Sequence, residues 1–195
     1  MGRKTFDSLV SAGGLLLVAV LLIAGGLLTW GHSYIGQQVH SQLAAQQIYF
    51  PAANSPTVAG SQFTAMRQYG GQQMTTGAQA EVYADHFIAV HLKEIGGGKT
   101  YSQLSTEAIA QPNNAKLAAQ VNTVFKGETL RGLLLNAYAF GTMGTIARIA
   151  AVAAFIAAGL LLVLSALGLS HARRRAPADV TLTASNSRLP VAANA

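Results

Sequence analysis

The stretch LVSAGGLLLVAVLLIAGGLLTW, residues 9–30, decides the architecture of this chain. These twenty-two residues carry no charge. At 1.5 Å of rise per residue, a helix over them is about 33 Å long, which matches the hydrocarbon core of a bilayer. A cleaved secretory signal has a shorter apolar run and a small-residue cleavage site, which is missing before Trp30. The stretch therefore predicts an uncleaved transmembrane helix.

A second apolar stretch, IAAVAAFIAAGLLLVLSALGL at residues 149–169, is also long enough to cross a bilayer. A competing interpretation places a third span at residues 133–147. That segment is short, contains Asn136, and meets Arg148 with no room for a turn. We therefore predict a second span at residues 149–170 and expect its helix to extend outward through residues 133–147.

The basic residues near the two spans predict their orientation. Arg3 and Lys4 precede the first span, and the triplet Arg173, Arg174 and Arg175 follows the second. Because Lys and Arg are enriched in cytoplasmic loops, both termini are expected in the cytoplasm. The predicted organisation is an all-α protein of the cell membrane, with a cytoplasmic N-terminus (1–8), an extracytoplasmic helical domain (31–148) and a disordered cytoplasmic tail (171–195).

Composition excludes several classes of function. Only 10% of the residues are charged, against about 25% in a soluble domain, which argues against an ordinary soluble enzyme. The net charge of +6 comes mostly from the cytoplasmic ends, and the basic residues are not interleaved with aromatic ones, so we expect no nucleic-acid partner. The chain has no cysteine, which excludes disulfides and thiolate metal sites.

The region between the spans is predicted to be mainly helical. Residues 36–50 continue the first span as a stalk until Pro51, and residues 51–77 form an irregular loop. An amphipathic helix follows at residues 77–95, with Thr76 and Gln79 in capping-box spacing and Gly96 as its left-handed stop. We expect further helices at 102–110 and from the N-cap Asn114 to a break at Gly127.

The segment GGGKT, residues 96–100, resembles the end of a phosphate-binding loop. The full motif needs a glycine five residues before the conserved glycine–lysine pair, and Lys93 occupies that position. The segment also follows a helix, whereas a phosphate-binding loop follows a strand. We therefore interpret its glycines as a helix cap.

His91 is the most notable candidate for a ligand site. It lies near the middle of the apolar face of the 77–95 helix, with Glu94 one turn further on and Tyr83 on the same face. Two interpretations stay open: a core histidine with a satisfied hydrogen bond, or a pocket lined by His91, Glu94 and Tyr83. His86 and His91 do not converge at their spacing, so we expect no metal and no other cofactor.

No arrangement of nucleophile, base and acid stands out among the external residues. Glu81 and Asp85 share one helix face and could do acid–base chemistry, but on a polar face they are more typical of solvated surface. We therefore expect a protein without catalytic activity.

Small residues recur along both spans. Ala12, Ala19 and Gly26 are seven residues apart in the first span, and Ala150, Ala154 and Ala158 form a stripe with Ala147 and Ser165 in the second. Small residues let helix backbones approach closely in lipid. The stripes predict either docking onto another membrane protein or self-association, or packing of the two spans on each other.

Three segments carry a resemblance to a known family: RKTFDSLVSAGG, TTGAQAEVYADHFIAVHLKEIGGGKTYSQLS and FKGETLRGLLLNAYAF. Together they resemble small two-pass membrane proteins of actinobacteria, over residues 1 to about 172. Some members carry a label as aromatic-ring-opening dioxygenases, which the histidine spacing here does not support. The resemblance implies a membrane location and no catalytic residue. The function we expect is an accessory or interaction subunit of a membrane assembly, and the alternative is an external sensor or small-ligand binder.

Overall fold

The computed structural model describes residues 3–174, and every regular element in that range is a helix. Two long helices, α1 at Arg3–Ala45 and α6 at Ala115–Arg174, enclose a series of short elements. These are 3₁₀ turns at Pro56–Val58 and Ser61–Phe63, α2 at Thr64–Arg67, α3 at Gly77–Tyr83, a π-helical segment at Ala84–Ile88, α4 at Ala89–Ile95 and α5 at Tyr101–Ala110. The all-α class is thus confirmed for these residues. The predicted disordered tail lies outside them from residue 175 onward, and residues 171–174 belong to α6.

The helices α1 and α6 pack against each other in antiparallel orientation. Ser11 lies beside Gly168, and Ile35 lies beside Gly144. Buried positions recur every seven residues on both helices, which is the repeat of a left-handed coiled coil. They are Ser11, Val18 and Gly25 on α1, and Gly144, Ala151, Ala158 and Ser165 on α6.

Small residues at this seam let the two backbones approach closely. Gly14 leaves room for the Ser165 hydroxyl, and a Cβ atom at Gly25 would lie 2.9 Å from the Phe155 ring. Further along, the His32 Nδ1 atom lies 2.9 Å from the carbonyl oxygen of Gly144, to which it donates a hydrogen bond. The seam therefore combines close apolar packing with one polar contact between helices.

Residues 46–114, which we call the distal domain, pack on the ends of α1 and α6 that lie away from the two termini. Its core includes Phe50, Met66, Met74 and Leu104, all at most 2% exposed. Each long helix contributes to the same core, with Leu43 from α1 and Leu117, Val124 and Leu134 from α6. The domain therefore uses the outer halves of the long helices as part of its core.

The stalk predicted at residues 36–50 ends earlier than expected. Helix α1 stops at Ala45, and Gln47 adopts a left-handed conformation with φ of +52°. The chain then forms a single antiparallel bridge between Tyr49 and Gln73. This turn directs Phe50 into the core, where its ring contacts Tyr69 and Tyr83. Burial of this ring explains why the helix does not run on to Pro51.

Helix α6 is continuous, so the predicted break at Gly127 is wrong. The predicted N-cap is confirmed, because the Asn114 side chain accepts a hydrogen bond from the Leu117 backbone N–H. Gly127 lies inside the helix, at a point where the Leu92 side chain occupies the space of a Cβ atom. The glycine thus serves packing between α4 and α6. Residues 133–147 also belong to α6, as predicted.

The capping box at Thr76 and Gln79 is confirmed at the start of α3. The stop at the end of α4 is shifted by one residue, because Gly96 is right-handed and Gly97 adopts a φ of +60°. The Gly97 N–H donates to the Glu94 carbonyl, and the Gly98 N–H donates to that of Lys93. This pair of bonds is a Schellman motif with Gly97 at its left-handed position.

Candidate functional site

Tyr83 and His91, two of the predicted pocket residues, lie in one row of aromatic rings. The ring centroids of Tyr83 and Phe87 are 4.9 Å apart, and those of Phe87 and His91 are 4.4 Å apart. The His91 Nδ1–H donates to the Phe87 carbonyl oxygen over 2.7 Å. Glu94 is exposed to solvent. The structure therefore packs Tyr83 and His91 together, whereas Glu94 lies outside the row.

The π-helical segment Ala84–Ile88 separates Tyr83 from His91 and changes the face of the helix that follows. The Ala89 N–H donates to the Ala84 carbonyl, five residues back, so one turn holds an extra residue. Each later residue therefore takes the angular position that the preceding residue would have in a regular α-helix. Leu92 is 7% exposed as a result, whereas Ile95, predicted on the apolar face, is 41% exposed.

The pKa of Tyr83 departs from its usual value. Its ring is half-buried and meets the edge of Phe50 at a centroid distance of 5.4 Å. Burial raises the pKa of the Tyr83 phenol, because the phenolate would lose hydration there. The row is therefore a packed cluster that favours the neutral side chain.

Asp85 lies in an ion pair, although the sequence places it on a solvated face. Its Oδ1 atom is 2.7 Å from the Arg131 guanidinium, and Glu128 approaches the same guanidinium at 3.7 Å. The hydrogen bond to Asp85 raises the pKa of Arg131 above its usual value. Within the described residues, the buried Nε atom of Arg131 has no hydrogen-bond partner. The pair ties the π-helical segment to α6.

The GGGKT segment forms a helix cap and the start of the next helix, as the interpretation of its glycines as a cap predicts. Gly97 and Gly98 complete the Schellman motif of α4, and Thr100 caps α5 in a capping box with Gln103. The Lys99 ammonium lies 2.7 Å from the Glu107 carboxylate. The glycines, the lysine and the threonine of this segment therefore all take part in helix capping or in an ion pair.

The two predicted helix-packing stripes face different surroundings. On α6, Ala158 is buried against α1, and Ala150 and Ala154 are half-buried. On α1, Ala12, Ala19 and Gly26 are exposed, and a Cβ atom at Gly26 would meet none of the described residues within 4 Å. The α1 seam uses Ser11, Val18 and Gly25 instead. The first stripe therefore stays uncovered by the described part of the chain.

Two cavities lie beside the α1–α6 pair, between its charge-free part and the distal domain. One has a volume of about 360 Å³ and is lined by segments around residues 36–40, 75–78 and 138–145. The other, which we call the interhelical cavity, has a volume of about 390 Å³ and is lined by residues 34–46 of α1 and 130–140 of α6. Neither is lined by Tyr83, His91 or Glu94.

The polar residues of the interhelical cavity were missed by the sequence analysis. They are amides: Gln38, Gln42 and Gln46 on α1, and Asn136 on α6. A signal was present, since the three glutamines are spaced by four residues and so follow one side of a helix. In the sequence, Asn136 stands out only as evidence against a third span.

In residues 3–174, no three histidine or acidic side chains lie close enough together to hold a metal ion. Comparisons of the chain with family models, curated proteins and solved structures find no match. The resemblance to small two-pass membrane proteins therefore stays a prediction. The class that geometry supports is a helical protein with two helices long and apolar enough, by length and composition, to cross a membrane.

Proposed function

We propose that this chain is an integral protein of the cell membrane that serves as an accessory or interaction subunit of a membrane assembly. Its helices α1 and α6 each cross the bilayer once, and their outer halves hold the distal domain outside the cell. Both termini lie in the cytoplasm. The observation that carries the proposal is the register of the two charge-free stretches.

Residues 9–30 and 149–170 lie side by side along their whole length. Near one end Ser11 lies beside Gly168, and just past the other end His32 contacts Gly144. The two stretches therefore occupy one slab about 33 Å thick. A soluble helical pair has no reason to align its uncharged stretches, whereas two helices in one bilayer must do so.

The surface of this slab is also apolar. Fewer than a quarter of the residues in the most apolar window of each helix are buried. Leu16, Ile23 and Leu160 are 69%, 65% and 63% exposed. A core helix of a soluble protein buries most of such a window. Exposing this apolar surface to water would cost about 25 cal/mol of free energy per Å² relative to burying it. Lipid chains cover it without that cost.

The ends of the slab carry the residues expected at membrane interfaces. Trp30 and Tyr34 stack at a centroid distance of 5.6 Å where the slab meets the outer halves of the helices. Arg148 lies at this same end of the slab. Arg3 and Lys4 of α1 and Arg174 of α6 belong to the helix ends at the other side of the slab. Aromatic rings favour the interface, and the basic bias supports cytoplasmic termini.

Single cysteines test the topology, because the natural chain has none. Gln62→Cys lies at an exposed site in the distal domain, and His171→Cys at an exposed site just past the cytoplasmic end of the second span. We expect a membrane-impermeant maleimide to label Gln62→Cys in intact cells and His171→Cys only after permeabilisation. The reverse pattern would contradict the orientation, and release of the protein by alkaline carbonate would contradict membrane insertion.

The exposed stripe of Ala12, Ala19 and Gly26 supports the interaction role, since it leaves a small-residue face for a partner helix. Native mass measurement in mild detergent should find a second copy or another membrane protein bound. Gly26→Leu should reduce this association, whereas Gly13→Leu, exposed on another side of α1, should not. A monomer without partners would contradict the accessory role.

A further inference from the structure

We propose that the interhelical cavity binds one lipid of the outer leaflet whose headgroup is uncharged and carries hydroxyl groups. The inference rests on the proposed membrane location, because only that location places the cavity directly above the outer leaflet. It goes further by assigning a binding site and a class of ligand to the outer halves of α1 and α6.

The lining of the cavity suits an uncharged amphiphile. None of its thirteen lining residues is charged. Leu133, Leu134 and Phe140 supply apolar surface, and the four amides supply both donors and acceptors. The four amides are exposed at the open side of the cavity, and their side chains make no described hydrogen bond within the chain, so that they can bond to a ligand that replaces water. Amides pair well with hydroxyl groups, whereas a phosphate would find no cationic partner in this lining.

An exposed apolar stripe connects the slab to the cavity. Ile23, Leu27, Trp30 and Tyr34 are spaced by three or four residues along α1, and each is at least 52% exposed. Residues at this spacing are neighbours on one helix face. Tyr34, the last of them, lines the cavity. A lipid chain can therefore keep apolar contact from the middle of the slab to the cavity.

The order of the lining residues along α1 determines the orientation in which a lipid enters the cavity. Tyr34 is the lining residue nearest the slab, and Gln42 and Gln46 are the farthest from it. The cavity extends over about 18 Å of α1, at 1.5 Å per residue. A lipid that rises along its own axis enters head first, so that its hydroxyl groups reach the amides while its chain lies on Phe140 and on the exposed apolar residues of α1.

Photo-crosslinking in nanodiscs tests the site on the full chain. Two diacyl lipids with the same diazirine-bearing chain are compared in phosphatidylcholine, one with a monoglucosyl headgroup and one with phosphatidylglycerol. We expect crosslinks from both lipids to residues 9–30. At residues 34–46 and 130–140 the glucosyl lipid should crosslink about tenfold more than phosphatidylglycerol, because the phosphate charge of phosphatidylglycerol would lose hydration beside a lining without cations.

The double variant Gln42→Leu with Asn136→Leu should remove this preference and leave the crosslinks in the span unchanged. Its matched control is Gln37→Leu with Asn122→Leu, exposed sites on the same two helices that line neither cavity. Crosslinks in the span without any at the cavity would overturn this inference and leave the membrane proposal standing. Equal crosslinking by both lipids, or equal loss in the control, would overturn the headgroup assignment. No crosslinks at residues 9–30 would contradict membrane insertion itself.

Discussion

Tyr83 couples the packing of the distal domain to pH, because burial raises the pKa of its phenol above 10.0. The folded domain holds this proton more tightly than the unfolded chain. The stability that it contributes is thus complete below pH 10 and is lost as the pH rises through the raised pKa. We expect the melting temperature of the domain to fall in that window, and Tyr83→Phe to reduce the fall.

Circular dichroism melts in detergent between pH 8 and 11 measure this effect, on the scale of the usual tyrosine pKa of about 10. Tyr49→Phe is the control, since its ring is 58% exposed. It should keep the pH dependence of the natural chain. Identical profiles for Tyr83→Phe and Tyr49→Phe would show that the Tyr83 phenol has no such role.

Gly97 is required by its backbone conformation alone. Its φ is +60°, and a Cβ atom there would meet none of the described residues within 4 Å. Gly97→Ala should therefore destabilise the distal domain by about 1–2 kcal/mol, the cost of a left-handed alanine. Gly132→Ala, at an open site inside α6, should instead stabilise by about 0.5–1 kcal/mol. Denaturant unfolding of both variants checks the opposite signs, and equal effects would contradict the argument.

Local signals in the sequence predict where helices begin and end better than they predict the geometry of helix interiors. Thr76 and Asn114 bond to backbone within three residues, so the short-range pattern is sufficient. The packing role of Gly127 inside α6 involves Leu92, which is distant in sequence. The π-helical segment likewise contacts a distant residue, since Asp85 pairs with Arg131 of α6. Contacts between residues distant in sequence produce no local sequence pattern from which they could be predicted.

The seam between α1 and α6 distinguishes two neighbouring glycines. Gly25→Leu would press on the Phe155 ring and should lower the stability of the helix pair by about 1–3 kcal/mol. Gly26→Leu points away from α6 and should leave the pair intact. Crosslinking of a cysteine pair across the seam, Gly14→Cys with Ser165→Cys, measures the pairing in each background. Loss of that crosslink in both backgrounds would contradict the assigned seam.

At the scale of the whole molecule, the sequence predicts the two charge-free stretches but not how they meet. Their lengths follow from counting uncharged residues, whereas their alignment requires contacts such as Ser11 with Gly168. The interhelical cavity forms only because α1 and α6 continue past the slab together. A feature built by two helices from opposite ends of the chain cannot be found from either helix alone.

Because the two charge-free stretches are aligned in one slab, the membrane proposal predicts that a single charge in either stretch impairs insertion. Leu160 lies near the middle of residues 149–170 and is 63% exposed, and Ile109 in α5 is 79% exposed. In water, a lysine at either exposed site would be tolerated. In a bilayer, Leu160→Lys should disfavour insertion by about 2.5–3.5 kcal/mol, whereas Ile109→Lys should have no effect. The fraction of each variant recovered in carbonate-washed membranes measures this difference, and equal recovery would argue that lipid does not surround α6.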